Sequence, residues 1–134
     1  MGKSLRFALF VLAASLASPA FAGFDASAYA PATQADLVKS PAAHVGKKYQ
    51  VTDPFQFCGS DFCVQIQKTK INTREYYCFT LGPMCLVRMY VKKDHPDADR
   101  VLKLKKGDKV TVFGVFDYMG SNYNYLIVDR VVTD

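Results

Sequence analysis

Apolar and polar residues alternate along most of this chain, and the alternation predicts a succession of strands. In 47–57 the odd positions carry Tyr49, Val51, Phe55 and Phe57, with Lys48, Gln50, Thr52 and Gln56 between them. A period of two over this length is the mark of a half-buried strand. Pro54 interrupts it and predicts a bulge or an edge position. In 62–70, Val64 and Ile66 alternate with Gln65 and Gln67. Setting Cys58 opposite Cys63 places Phe57 against Val64 and Phe55 against Ile66, so apolar meets apolar throughout a hairpin. A third strand, 75–81, presents Tyr77, Phe79 and Leu81 on one face and ends at Gly82-Pro83. The chain resumes at 85–91 with Val87, Met89 and Val91 alternating with Arg88 and Tyr90.

A polar connection, 93–100, with a short helix near Pro96, leads to the turn Lys105-Lys106-Gly107-Asp108. The strand 109–117 carries apolar residues on both faces: Val110, Val112 and Phe116 on one, Phe113 and Val115 on the other. That predicts a central strand, and Gly114 in its middle suits sharp coiling. The segment 123–132 closes the chain as a further strand. Before the strands, Thr33 and Asp36 form an N-cap pair for a two-turn helix ending by Ser40, since the residue before Pro41 avoids the helical region. Residues 23–32 read as loose.

The N-terminus decides the expected compartment. Lys3 and Arg6 precede an apolar run over 7–16, and Ala20-Phe21-Ala22 stands before Gly23. This is the pattern of a secretory signal peptide (1–22) cleaved after Ala22, with too short an apolar core for a membrane span of about twenty residues. Cleavage would leave a lead-in, 23–43, and one domain, 44–134, periplasmic or secreted, with no stable membrane insertion. The chain has 17 basic and 12 acidic residues. Loss of Lys3 and Arg6 lowers its net charge from +5 to about +3, which permits an anionic polymer as partner without requiring one.

Export puts the four cysteines in an oxidising compartment. Their spacings, C-x4-C and C-x6-C, are too wide for a zinc site and lack the C-x-x-C of a redox pair. The expectation is therefore two disulfides among Cys58, Cys63, Cys78 and Cys85. Cys58–Cys63 with Cys78–Cys85 is the favoured pairing, the second by default, since simple alternation sets Cys78 and Cys85 on opposite faces. His44 and His95 stand in loops without a nucleophile motif, and Asp94, Asp97 and Asp99 lack the glycine and glutamate of a calcium loop. They read as a solvated loop or helix cap. No catalytic residue, metal ligand or cofactor motif is expected, and the chain reads as a non-enzyme.

The order of elements, with the runs "VGKKYQVTD" and "LKKGDKVTVFGVFDYMGSNYNYLIVDRVV", resembles exported bacterial OB-fold proteins of the tRNA-anticodon-domain-like kind over about residues 44–132. The resemblance implies a mainly β, five-stranded Greek-key barrel, with a short N-terminal helix and a short helix or loop between strands three and four. An SH3-like barrel or a small open sandwich is the alternative. It also implies binding rather than catalysis, on the face of strands two and three and on the loops joining strands one to two and four to five. Mapped here, that surface is Asp61, Gln65, Gln67, Tyr76, Tyr118 and Tyr123, beside Lys68, Lys70, Arg74, Arg88 and Lys92. Stacking and charge would then take an oligosaccharide, a peptide or a nucleic acid. Against this, tyrosines also serve as core residues with hydroxyls at the rim. A structural or inhibitory protein docking to another envelope protein is the second functional expectation.

Overall fold

The computed structural model describes residues 23–59, 72–119 and 123–134. The expected signal peptide and the strand 62–70, with its hairpin register, lie outside them. Six strands are described: β1 (Ala30–Pro31), β2 (Lys48–Gly59), β3 (Tyr76–Leu81), β4 (Val87–Lys92), β5 (Lys109–Met119) and β6 (Tyr123–Thr133). Two short helices, α1 (Gln34–Lys39) and α2 (Ala98–Leu102), flank them. No described helix is long and apolar enough to cross a membrane.

The strands hydrogen-bond in the order β1-β2-β3-β4-β6-β5, and a further β2–β5 pairing closes the last five into a barrel. Within the closed barrel β2 has two partners, β5 and β3, besides β1. Its first half, from Lys48 opposite Val115 to Pro54 opposite Lys109, lies along β5. Its second half turns onto β3, with Phe55 opposite Leu81 and Cys58 opposite Phe79. The parallel β4–β6 pairing requires the crossover that α2 occupies. This is the OB-fold, and closure rules out the open sandwich.

Two irregularities bend the strands. Between Phe55 and Phe57 the β2–β3 register shifts, one residue past the proline. The expected face of β2 is therefore interrupted. Tyr49, Val51 and Phe55 are buried as predicted, but Phe57 is 46% exposed and Cys58 packs on the core in its place. On β5 the register shifts between Phe113 and Gly114. A Cβ at Gly114 would lie 2.5 Å from the Ile127 carbonyl oxygen, so only glycine lets β5 and β6 approach this closely.

One core fills the barrel, with Val51, Phe79, Leu81, Val87, Met89, Val112, Phe116 and Leu126 among its buried members. α1 begins at Thr33, whose Oγ1 accepts from the Asp36 N–H at 3.1 Å, and it sends Leu37 into this core. Its Gln34 amide fastens the barrel end. Nε2 donates to the Leu81 carbonyl and to Asp53, both at 2.9 Å, and Oε1 accepts from the Val87 N–H at 3.0 Å.

Residues 23–32, which read as loose from sequence, pack on the barrel. β1 runs parallel to β2, and Phe24 and Tyr29 cover Phe113, the outward apolar residue of β5, with ring centroids 5.2 and 5.5 Å away. The Tyr29 hydroxyl donates to Asp129 at 2.7 Å. Apolar residues on both faces of β5 are thus explained by an inner core and an outer aromatic cover.

Asp97 departs from the solvated or capping role expected of it. It stands at the N-cap position of α2 but makes no side-chain cap bond. It is 3% exposed, accepts from the Val131 N–H at 2.9 Å, and pairs with Arg130 and Arg100 at 3.7 and 3.6 Å. A buried carboxylate needs such partners, so α2 is tied to β6 through it.

The favoured disulfides are not formed. Cys58 and Cys85 are free thiols, and Cys78 is disulfide-bonded; Cys63 lies outside the described residues. The β3–β4 register explains why Cys78 does not pair with Cys85. Cys78 stands opposite Tyr90, five positions along the chain from Cys85. At about 3.3 Å per residue the two are on the order of 15 Å apart, beyond the ~7 Å reach of a disulfide. Cys85 instead has a φ of 48° and donates its thiol to the Gly82 carbonyl at 3.5 Å. Burial pushes the Cys58 thiol up, which makes it a poor nucleophile.

Candidate ligand face

Alternation that sends Phe79, Met89 and Leu126 inward sends their neighbours to the outer surface of β3, β4 and β6. Register aligns these neighbours into a row across the barrel. Phe57 stands opposite Thr80, Thr80 opposite Arg88, Arg88 beside Tyr125, and Tyr125 opposite Asp117. Tyr76, Cys78, Tyr90 and Tyr125 form a buried cluster on this side, with Met119, Tyr123 and Ile127 half-buried against it.

The rings meet edge to face. Tyr90 lies 6.1 Å from Tyr76 and 5.8 Å from Tyr125, with interplanar angles of 90° and 88°. Such contacts satisfy the ring quadrupoles, but each buried hydroxyl still needs a partner. Tyr90 and Tyr123 supply one another, oxygen to oxygen at 2.7 Å. Burial, then the bond to Tyr123, raises Tyr90 well above the ordinary phenol range. Tyr125 is pushed up to about 12 by burial and, next, by the charge of Asp117, to which it also hydrogen-bonds. Tyr90 and Tyr125 are therefore neutral at physiological pH.

Above the buried rings lies a half-exposed layer. The Arg88 guanidinium sits 4.2 Å from the centre of the Tyr123 ring, close enough for a cation–π contact. Phe57 is exposed at the β2 margin, and Asp117 is half-buried at the β5 margin. Thr80, beneath Arg88 in the row, is fully buried, and its hydroxyl has no hydrogen-bond partner. The face therefore offers the exposed Phe57 ring, the Arg88 guanidinium with the half-buried Tyr123 ring against it, and the Asp117 carboxylate, while Tyr125 supports them from below. These groups can stack on planar or sugar rings and pair with an anionic group; they hold no nucleophile activated by a base.

The predicted site residues divide accordingly. Tyr123 is on the face and half-exposed. Tyr76 is on it but buried, a support rather than a contact. Tyr118 packs against the barrel core, since it is one step out of phase with Asp117. Asp61, Gln65 and Gln67 lie outside the described residues. Phe57 is the addition, and Arg88, expected only beside this surface, stands in its row. Arg88 was legible as outward from its alternation with Val87 and Met89, whereas Phe57 reached this face only through the shift beside Pro54.

Both histidines have structural duties. His44 Nδ1 lies 2.7 Å from the Tyr49 hydroxyl. His95 Nδ1 accepts from the Asp97 N–H at 2.9 Å, which leaves Nε2–H to donate to the Asp129 carbonyl at 2.8 Å. Among the described residues no three His, Cys, Asp or Glu side chains gather where a metal ion could sit.

No family model and no curated protein matches this chain. Solved structures do. A Leishmania major Friedlin protein assigned as an aspartyl-tRNA synthetase aligns at 12% identity and a TM-score of 0.53, over 83% of this chain and 22% of its own. Asparaginyl-tRNA synthetase from Pyrococcus horikoshii aligns at 12% and 0.50, over 68% of this chain and 20% of its own. An OBody bound to hen egg-white lysozyme aligns at 12% and 0.47, over 68% and 82%. The chain thus spans about a fifth of the length of the synthetases it matches. At this identity the likeness establishes the fold.

Proposed function

We propose that this chain is an exported, non-enzymatic binding module, stabilised by disulfide chemistry at Cys78, that takes its ligand on the outer face of β3, β4 and β6. The observation that carries the proposal is the row Phe57–Thr80–Arg88–Tyr125–Asp117 with Tyr123 stacked against the guanidinium. Its buried tyrosines hold the contact groups rigidly, which lowers the entropic cost of binding. The ligand is a polymer with planar or ring-shaped units and an acidic group: an oligosaccharide, a peptide or a nucleic acid. The signal-peptide pattern over 1–22 supports export to the periplasm or beyond.

The chain contains no tryptophan and eight tyrosines, of which Tyr76, Tyr90, Tyr123 and Tyr125 lie at the face, so a ligand bound there should change the intrinsic tyrosine fluorescence. Titration with an oligothymidylate, an acidic oligosaccharide and an acidic peptide should find saturable binding to one of them. Arg88→Ala should weaken it about tenfold or more, and Phe57→Ala by a smaller factor. Steep loss of affinity with salt would identify a polyanion. Binding unchanged in both variants would overturn the proposal. A salt-insensitive complex with a single envelope protein would replace the polymer with protein docking.

A further inference from the structure

The row across the outer face has a floor that stacking alone does not explain. Thr80 stands on β3 between Phe57 of β2 and Arg88 of β4. Both neighbours carry longer side chains, so the threonine is recessed between them. It is fully buried, and its hydroxyl finds no hydrogen-bond partner among the described residues. A buried hydroxyl left unpaired costs stability, whereas valine has the same shape and no such need. Packing therefore does not account for a threonine at this position. The Arg88 guanidinium does not meet the need either. It lies over the Tyr123 ring of β6, 4.2 Å from its centre.

The other groups of the row narrow what could pair with this hydroxyl. Asp117 accepts from the Tyr118 N–H at 2.8 Å and from the Tyr125 phenol, and a carboxylate has acceptor sites for further donors. The row thus carries one charge of each sign. A phosphodiester backbone gains nothing at Asp117, and that of DNA has no hydroxyl to donate there. An extended peptide recognises a sheet through an open strand edge, but β3, β4 and β6 are each paired on both sides. An acidic sugar chain has a counterpart for every group: a ring face for Phe57 or Tyr123, a carboxylate for Arg88, and hydroxyls for Thr80 and Asp117. Neighbouring strands lie about 5 Å apart, so one sugar unit can serve Thr80 and Arg88 together. Asp117 is two strands beyond Arg88, about 10 Å, within reach of the next unit.

We propose that the ligand of this face is an acidic oligosaccharide of uronic-acid type, and that Thr80 is the residue that sets its specificity. The sugar wedges between Phe57 and Arg88, its carboxylate pairs with the guanidinium, and a neighbouring hydroxyl bonds to Thr80 Oγ1. This rests on the reading of the face as a ligand site and selects the oligosaccharide from among its ligand classes. The hydroxyl is held unpaired in the free protein for a group that only the right ligand supplies, so binding discriminates against ligands that lack it.

Tyrosine fluorescence titration of the full chain tests it. The probes are oligogalacturonate, oligomannuronate, their carboxyl-reduced neutral forms, an oligothymidylate and an oligoglutamate. At least one oligouronate should bind saturably, and its reduced form about tenfold more weakly or worse. Thr80→Val should weaken that binding about fivefold or more, while Thr80→Ser, which keeps the hydroxyl, should stay within about twofold of the parent. The valine variant should nevertheless melt no lower than the parent, an outcome that a merely structural hydroxyl would not give. A valine variant that binds as the parent does, or that melts lower, would overturn the proposal. Oligothymidylate or oligoglutamate bound in place of both uronates, and lost in Arg88→Ala, would overturn the sugar while leaving the face standing. Binding indifferent to Arg88→Ala would remove the face itself, and the proposal with it.

Discussion

The two faces of the β3–β4–β6 sheet bury residues of different kinds for different ends. Inside the barrel, Phe79, Leu81, Met89, Phe116 and Leu126 pack without a polar atom among their side chains. Such contacts are nondirectional, and their strength follows the area removed from water. Outside, Tyr76, Tyr90 and Tyr125 are nearly as deeply buried, but their hydroxyls demand partners at set distances and angles. The interior thus supplies stability, while the exterior supplies orientation, holding Arg88 and Tyr123 in fixed relation. A surface can be buried in the manner of a core and still serve the layer above it.

The contrast can be broken at its strong side first. Phe116→Ala should lower stability by about 4 kcal/mol, as read from the urea midpoint, because it leaves a cavity in the barrel. Its effect on ligand binding should follow only from unfolding. Tyr90→Phe should cost about 1 kcal/mol, since it removes one hydroxyl pair and no packing. It should nevertheless disturb binding more than its stability cost suggests, because Tyr123 loses its anchor beneath Arg88.

The third effect shows itself only at alkaline pH. The Tyr125 phenol has a folded pKa of about 12, above its ordinary value of 10.0. The native state therefore holds this proton more tightly than the unfolded chain does. Its stabilising contribution is complete below about pH 10 and is lost as pH rises toward 12. Tyr90 and Tyr123 are raised in the same direction. Melting temperature should fall over that window, less steeply in Tyr125→Phe, and phenolate absorbance should appear late for the buried tyrosines. A melting temperature flat between pH 10 and 12 would show that the outer cluster is not closed to solvent.

Much of the barrel was legible because alternation reports directly on which side of a sheet is buried. Phe79 and Leu81, Met89 and Val91, and Val112 and Phe116 all fell inward as the period of two required. The doubly apolar pattern of 109–117 marked a strand covered on both faces, and Gly114 marked its bend. The ligand face was less legible. Tyr118 and Tyr123 are chemically alike, and only their register with Asn124 and Met119 separates a core-packed ring from one on the outer face. Phe57 lay beyond sequence reasoning because one shifted residue reverses every side chain after it.

The local sequence by itself determined the strands, the cap of α1 at Thr33 and the glycine required within β5, since each depends on neighbours along the chain. Only tertiary structure decided what faces what. It set β3 against the far half of β2, Gln34 against Leu81 and Val87, and Asp97 against Val131 and Arg130. It also separated Cys78 from Cys85. Those partners are tens of residues apart in sequence, apart from that last pair, and nothing local encodes them. They were selected by closing one barrel around one core, where every buried polar group had to find a partner at the same time.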